Sequence, residues 1–180
     1  SFQASARRIV SFDALSRART TLDDFSRFYF PLHGLDRHDF FRFLPILTYA
    51  EACIYQMDEE NEVYTRALVQ TPLAAAAADA VPGAPAAAPV WSETATGAAL
   101  HGVLSSLGLL SRRAADELRA GDEYWRFERQ LCASMAACAP VSLDDVYACS
   151  GLKSFDYRVL HALLCEMAHL EASDELLAFL

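Results

Sequence analysis

Residues 40–57, FFRFLPILTYAEACIYQM, constrain the fold of this chain more than any other stretch. Their apolar side chains recur at helical spacing but surround most of the circumference instead of forming one face. These side chains are Phe40, Phe41, Phe43, Leu44, Ile46, Leu47, Ile54 and Met57. A helix that is apolar on nearly all sides must be enclosed by other elements, so we predict a central buried helix. It begins near Asp36 or Asp39, and Pro45 either kinks it or starts a new helix.

The remaining segments also have helical periodicity, and no stretch alternates for long with the period of a strand. Ser11 is a suitable N-cap for a first helix in which Phe12 turns inward, and Pro31 and Gly34 end that helix. Later helix starts and stops are predicted at Ser92, Gly108, Ser111, Gly121, Ser142, Gly151, Ser154 and Ser173. We therefore predict an all-α protein, an irregular helical bundle of about six to eight helices.

A Pro/Ala-rich segment at 69–91 contains four prolines and almost no large apolar residue before Trp91. Such a composition cannot bury enough surface to offset the entropy of ordering, so we expect a long flexible loop. We expect one helical domain, 1–180, in which this loop separates an N-terminal helical hairpin, 1–68, from a C-terminal helical group, 92–180. The helical pattern is still running at Leu180 and the first residues lack an initiator Met. We expect a truncated C-terminus and an internal or processed start.

The net charge of −9 is unevenly distributed. Residues 1–50 carry seven arginines and five aspartates, whereas residues 51–180 carry eight basic and nineteen acidic residues. An anionic surface repels phosphate backbones, so we expect no nucleic-acid partner. No uncharged apolar run reaches about 18 residues, which argues against a transmembrane helix. The five cysteines are odd in number and form no C-x-x-C pair, which favours a reducing compartment, either the cytoplasm or the plastid stroma.

Four acidic residues fall within five positions at 58–62, directly after the apolar run. On a helix Glu51, Tyr55, Asp58 and Glu62 share one face, here called the acidic stripe. Carboxylates at this spacing can hold Mg²⁺, and we take Glu51, Asp58, Glu59 and Glu62 as candidate metal ligands. The alternative is a solvated helix end in which Glu51 alone is buried and hydrogen-bonded.

Asp58, Glu59 and Glu62 form a D-E-x-x-E pattern that resembles the aspartate-rich helix of isoprenoid diphosphate synthases. The resemblance implies an all-α enzyme, terpenoid-synthase-like, that binds Mg²⁺ and a prenyl diphosphate. Those enzymes use a second acidic motif on a facing helix. The nearest candidate here, residues 23–27, has Arg27 where the third carboxylate belongs, and the chain is short for that fold.

His161, Cys165 and His169 follow one another at intervals of four and could bind Zn²⁺ in principle. His161 and His169 are separated by roughly 12 Å along a helix axis, too far for one ion to join them. Glu166 and His169 form a single Glu-x-x-His pair, whereas di-iron bundles need two. Because we find no nucleophile elbow and no phosphate-binding loop, the sequence leans against an enzyme.

Two stretches, SFDALSRARTTLDDFSRFYFPLHG at 11–34 and SFDYRVLHALL at 154–164, resemble all-helical proteins of plants and green algae. The resemblance implies no particular activity. We therefore expect a non-catalytic helical module for protein interaction or assembly, with a protein partner and no cofactor. The alternative is the terpenoid-synthase-like bundle, active or degenerate, with Mg²⁺ bound.

Overall fold

A computed structural model describes residues 9–36, 38–70, 90 and 93–171. The all-α prediction is confirmed, since these residues contain helices and no strand. The helices are α1 (Phe12–Leu32), α2 (Phe40–Gln70), α3 (Ala95–Ser106), α4 (Arg112–Ala136), α5 (Leu143–Leu152) and α6 (Phe155–Ala168). The predicted loop at 69–91 lies almost entirely outside the described residues, as do Ser92 and Ser173. None of the described helices combines the length and apolarity that crossing a membrane requires.

The central helix predicted from the sequence is α2. No residue from Ile46 to Glu60 is exposed, because α1, α3, α4 and α6 all pack against this helix. Pro45 lies inside α2, and the helix continues on both sides of it. The antiparallel neighbour α1 makes the most extensive contact with α2.

Side-chain caps set the helix starts largely as predicted. Ser11, Ser111 and Ser142 each accept a hydrogen bond from a backbone N–H in the first turn of α1, α4 and α5. The cap of α3 is Thr94, whose hydroxyl accepts from the N–H of Gly97 at 3.1 Å. Ser154 occupies the cap position of α6 without a side-chain hydrogen bond.

Phe12 corrects one expectation, because its side chain is 79% exposed instead of facing inward. Phe155, in the same position of α6, is buried as expected. The two helices therefore begin with the same Ser-Phe-Asp sequence but turn the aromatic ring to opposite environments. The cap is a local effect, whereas the direction of the ring depends on which neighbouring helix is present.

Gly121 does not break a helix, contrary to the prediction, and α4 runs through it without interruption. Position 121 requires a glycine because α6 packs closely against α4 at this point. A Cβ at position 121 would overlap the ring of Phe155, lying 2.8 Å from its Cδ2 and Cζ atoms. The same ring packs edge-on against Trp125, with ring centroids 5.2 Å apart. Gly151 likewise lies within α5 and does not end it.

Replacing Gly121 with Ala should destabilise the fold, because the added methyl group must displace the buried Phe155 ring. Overpacking of this kind costs about 1–3 kcal/mol, more than the helix propensity gained by removing a glycine. The measurement is the free energy of unfolding in urea. Gly102→Ala is the matched control, since Gly102 is also inside a helix and has nothing within 4 Å of an added Cβ. That control should be neutral or slightly stabilising, and equal effects of both substitutions would contradict the packing argument.

Candidate functional site

The residues of the acidic stripe lie on α2, but they contact different parts of the protein. Asp58 lies between α1 and α4: one carboxylate oxygen pairs with Arg17 at 3.0 Å and the other accepts from the indole N–H of Trp125 at 3.1 Å. Trp125 is thus a buried core residue whose indole N–H is hydrogen-bonded. Both carboxylate oxygens of Asp58 are therefore bonded to protein groups.

The other two predicted ligands in the cluster also contact protein groups. Glu59 accepts a hydrogen bond from the hydroxyl of Ser11 at 3.0 Å. Glu62 pairs with Arg66 one turn further along α2, at 2.8 Å. Among the described residues, neither these acids nor Asp58 or Glu51 belongs to a group of three converging metal ligands. The Mg²⁺ site therefore stays a prediction, and the geometry of the described residues does not favour it.

Glu51 is fully buried, and neither of its carboxylate oxygens has a hydrogen-bond partner among the described residues. A buried charge requires a partner, so the solvated-helix alternative predicted a hydrogen bond for Glu51, which is not found among the described residues. Tyr55, one turn further on, bonds Thr21 instead, with the two hydroxyl oxygens 2.6 Å apart. Burial raises the pKa of Glu51 well above its ordinary value, and the nearby Asp156 raises it further. Burial therefore favours the protonated, uncharged form of Glu51.

Asn61 is a second fully buried polar residue of α2, and its hydrogen bonds are satisfied. Its side-chain N–H group donates to Glu128 at 2.6 Å, and its carbonyl accepts from Arg129 at 2.7 Å. The hydroxyl of Tyr124 donates to the other oxygen of Glu128 at 2.9 Å. This closed network joins α2 to α4 and needs no ligand to complete it.

A different group of side chains meets where the end of α1 approaches α6. The Nε2 atoms of His33 and His161 are 2.8 Å apart, and the Sγ of Cys165 is 3.5 Å from the Nε2 of His161. All three potential ligand atoms lie within 4.8 Å of one another. We call these three residues the His–His–Cys cluster.

The helical geometry explains which residues form the cluster. His161 and Cys165 are one turn apart on the buried face of α6, as the sequence pattern predicts. His169, the third residue of that pattern, is exposed and has a left-handed backbone conformation at the end of the helix. His33, which caps the end of α1, takes its place across 128 residues of sequence. No periodicity within one segment could have indicated this pairing.

The cluster lies at the edge of the core, since His161 and Cys165 are buried and His33 is partly exposed. Burial lowers the pKa of His161 to about 4, and burial also lowers that of His33. Burial therefore favours the neutral form of both rings. The other ring nitrogen of His161, Nδ1, has no hydrogen-bond partner among the described residues.

A long concave surface follows the α1–α2 hairpin on the side away from the core. It consists of three adjoining cavities of about 540, 640 and 500 Å³. The first and second share Leu44 and Thr48, and the second and third share Asp23 and Phe40. We call this surface the α1–α2 groove. It extends from Phe12 to Pro31 on α1, which is roughly 28 Å of helix.

Two large aromatic side chains project beside the groove, one near each end. Phe12 lines the first cavity and is 79% exposed, and Phe41 lines the third and is 77% exposed. Apolar atoms dominate the lining of the first and third cavities. Large exposed aromatic residues around concave apolar surface are typical of an interaction site.

Comparison of the chain with protein-family models, with curated proteins and with solved structures finds no match. The resemblances to isoprenoid diphosphate synthases and to plant and green-algal proteins therefore stay predictions. Any function proposed for this chain must rest on the geometry of its own residues.

We expect the stability of the protein to fall as the pH rises above the ordinary range of a glutamate, because of Glu51. A raised pKa means that the folded state keeps a proton that the unfolded chain releases. Each pH unit between the unfolded and folded pKa costs roughly 1 kcal/mol or more of stability for one such group. Glu51→Gln, which stays neutral, should reduce this slope and stabilise the protein at pH 8 more than at pH 5.

The measurement is urea unfolding of both proteins from pH 5 to pH 8. Part of the slope should persist in the variant, because burial also raises the pKa of Asp156. Glu123→Gln, at an exposed position of α4, is the control and should leave the slope unchanged. If Glu51→Gln leaves the slope of the native protein intact, Glu51 is not buried as an uncharged acid.

Proposed function

We propose that this chain is a non-catalytic helical assembly module whose α1–α2 groove packs against the same groove of a second copy. The observation that carries the proposal is the combination of cavities and projecting aromatic side chains on one face. In a two-fold symmetric contact the same patch serves both partners, so it must contain both the projections and the cavities that receive them.

The positions of Phe12 and Phe41 support such a contact. They lie near opposite ends of the groove because α1 and α2 are antiparallel. A two-fold axis through the middle of the groove brings Phe12 of one copy over the third cavity of the other. Phe41 then meets the first cavity, and the two hairpins together form a four-helix arrangement.

The charges of the groove also fit a contact between identical surfaces. Its charged lining residues are Arg19, Asp23, Arg27 and Asp36, two of each sign. The groove is thus neutral, whereas the whole chain carries a net charge of −9. A neutral patch on an acidic protein allows two copies to approach through that patch while their remaining surfaces repel each other.

The polar interior supports a structural role over a catalytic one. Asp58, Glu59 and Glu62 contact Arg17, Ser11 and Arg66, which stabilises the helix ends and the α1–α2 and α2–α4 contacts. The Mg²⁺-dependent, terpenoid-synthase-like alternative needs these carboxylates to face one diphosphate together, and no observation on the described residues favours it. We propose no cofactor for the assembly function. The five free thiols fit a reducing compartment such as the cytoplasm or the plastid stroma.

Sedimentation velocity over a range of protein concentrations tests this proposal. We expect the wild-type chain to form a dimer, and Phe12→Ser and Phe41→Ser to shift it toward the monomer by at least about tenfold in dissociation constant. A buried aromatic anchor at an interface contributes about 2 kcal/mol or more, which exceeds the roughly 1.4 kcal/mol of a tenfold shift. Both side chains are exposed in the single chain, so neither substitution should prevent folding.

Phe28→Ser is the matched control. Phe28 is also an exposed phenylalanine of α1, 59% exposed, but it points away from the groove. This variant should dimerise like the wild type. A wild-type chain that stays monomeric at all concentrations would contradict the proposal, as would equal loss of dimer in the Phe28 and Phe41 variants.

A further inference from the structure

We infer that the His–His–Cys cluster is a binding site for a Zn²⁺ ion, held by the Nε2 atoms of His33 and His161 and the Sγ of Cys165. The inference is independent of the groove and of the assembly proposed for it. Three ligand atoms from two helices converge at the edge of the core, and they belong to the residue types that zinc prefers.

The spacing of the three atoms suits a tetrahedral ion. A zinc ion with Zn–N of about 2.0 Å and Zn–S of about 2.3 Å separates its ligand atoms by roughly 3.3–3.6 Å. The observed separations are 2.8 Å between the two nitrogens and 3.5 Å between sulfur and the Nε2 of His161. The Nε2 of His33 must move by about 0.5 Å to open the first distance to about 3.3 Å, and its distance to the sulfur, which lies within 4.8 Å, must reach about 3.5 Å.

The contact between the two histidines is chemically suited to a metal. Both rings direct the same atom, Nε2, at a common point, and in the metal-free protein one proton must lie between them. A cation at this point requires both Nε2 atoms to be unprotonated, with the ring protons on the Nδ1 atoms. The Nδ1 of His161, which would then carry a proton, has no hydrogen-bond partner among the described residues.

The donor set discriminates among metals. One thiolate and two imidazoles suit Zn²⁺, whereas Mg²⁺ and Ca²⁺ prefer oxygen ligands. Binding of zinc displaces the proton of the Cys165 thiol. Burial raises the pKa of this thiol, and Arg113 partly offsets the rise. Three protein ligands leave the fourth position for water, which can enter beside the partly exposed His33.

The test is titration of the reduced, full-length chain with Zn²⁺ against a chromophoric chelator, together with Co²⁺ as a spectroscopic probe. We expect one equivalent of Zn²⁺ per chain and a thiolate-to-cobalt charge-transfer band. His33→Gln and Cys165→Ser should each weaken zinc binding by about 100-fold, and Cys165→Ser should abolish the band. Circular dichroism of each metal-free variant establishes that it is folded.

His169→Gln and Cys138→Ser are the matched controls, because both residues are exposed and lie outside the cluster. They should bind zinc like the wild type. If the chain binds no zinc at one equivalent, or if His33→Gln binds it as tightly as His169→Gln does, the inference is overturned. Because His33→Gln alters a partly exposed residue, it remains informative even where substitution of buried His161 prevents folding.

Discussion

The enclosure of α2 between residues 46 and 60 is the constraint on which the rest of this structure depends. A helix covered on all sides requires neighbours, and α1, α3, α4 and α6 supply them. It also buries or half-buries the polar residues of that segment, and a buried polar group must be bonded, neutralised or paired. Asp58 is paired with Arg17, and burial favours the protonated form of Glu51. Asn61, the next residue of α2, is bonded within a closed network.

The folded structure gives the residues of the acidic stripe different contacts. Spacing alone placed Glu51, Asp58 and Glu62 on one side of a helix, which is as compatible with a metal site as with a set of separate contacts. In the folded chain Asp58 contacts both α1 and α4, and Glu62 pairs with Arg66 of its own helix. Glu51 has no hydrogen-bond partner among the described residues. Tyr55 and Asp58 of the stripe join α2 to its neighbours, whereas the sites that we propose lie on the α1–α2 groove and at the His–His–Cys cluster.

The fold class, the central helix and the caps at Ser11, Ser111 and Ser142 could be predicted from the sequence because they depend on local periodicity and local hydrogen bonds. Gly121 could not, since a glycine that breaks a helix and one that admits a neighbouring ring look identical within a single segment. The same limit applies to His33 and His161, which are 128 residues apart, and to Phe12, whose exposure depends on which helices pack against α1. Tertiary contact decides each of these cases.

The most direct test of the assembly proposed here is photo-crosslinking from position 12. Phe12 is replaced by benzoylphenylalanine, the chain is irradiated at a concentration that favours the dimer, and the crosslinked peptides are identified by mass spectrometry. Mixing isotopically light and heavy chains separates crosslinks between copies from those within one chain. We expect crosslinks between copies to the residues around Phe41. Crosslinks only within one chain, or crosslinks between copies only to α4 or α5, would contradict it.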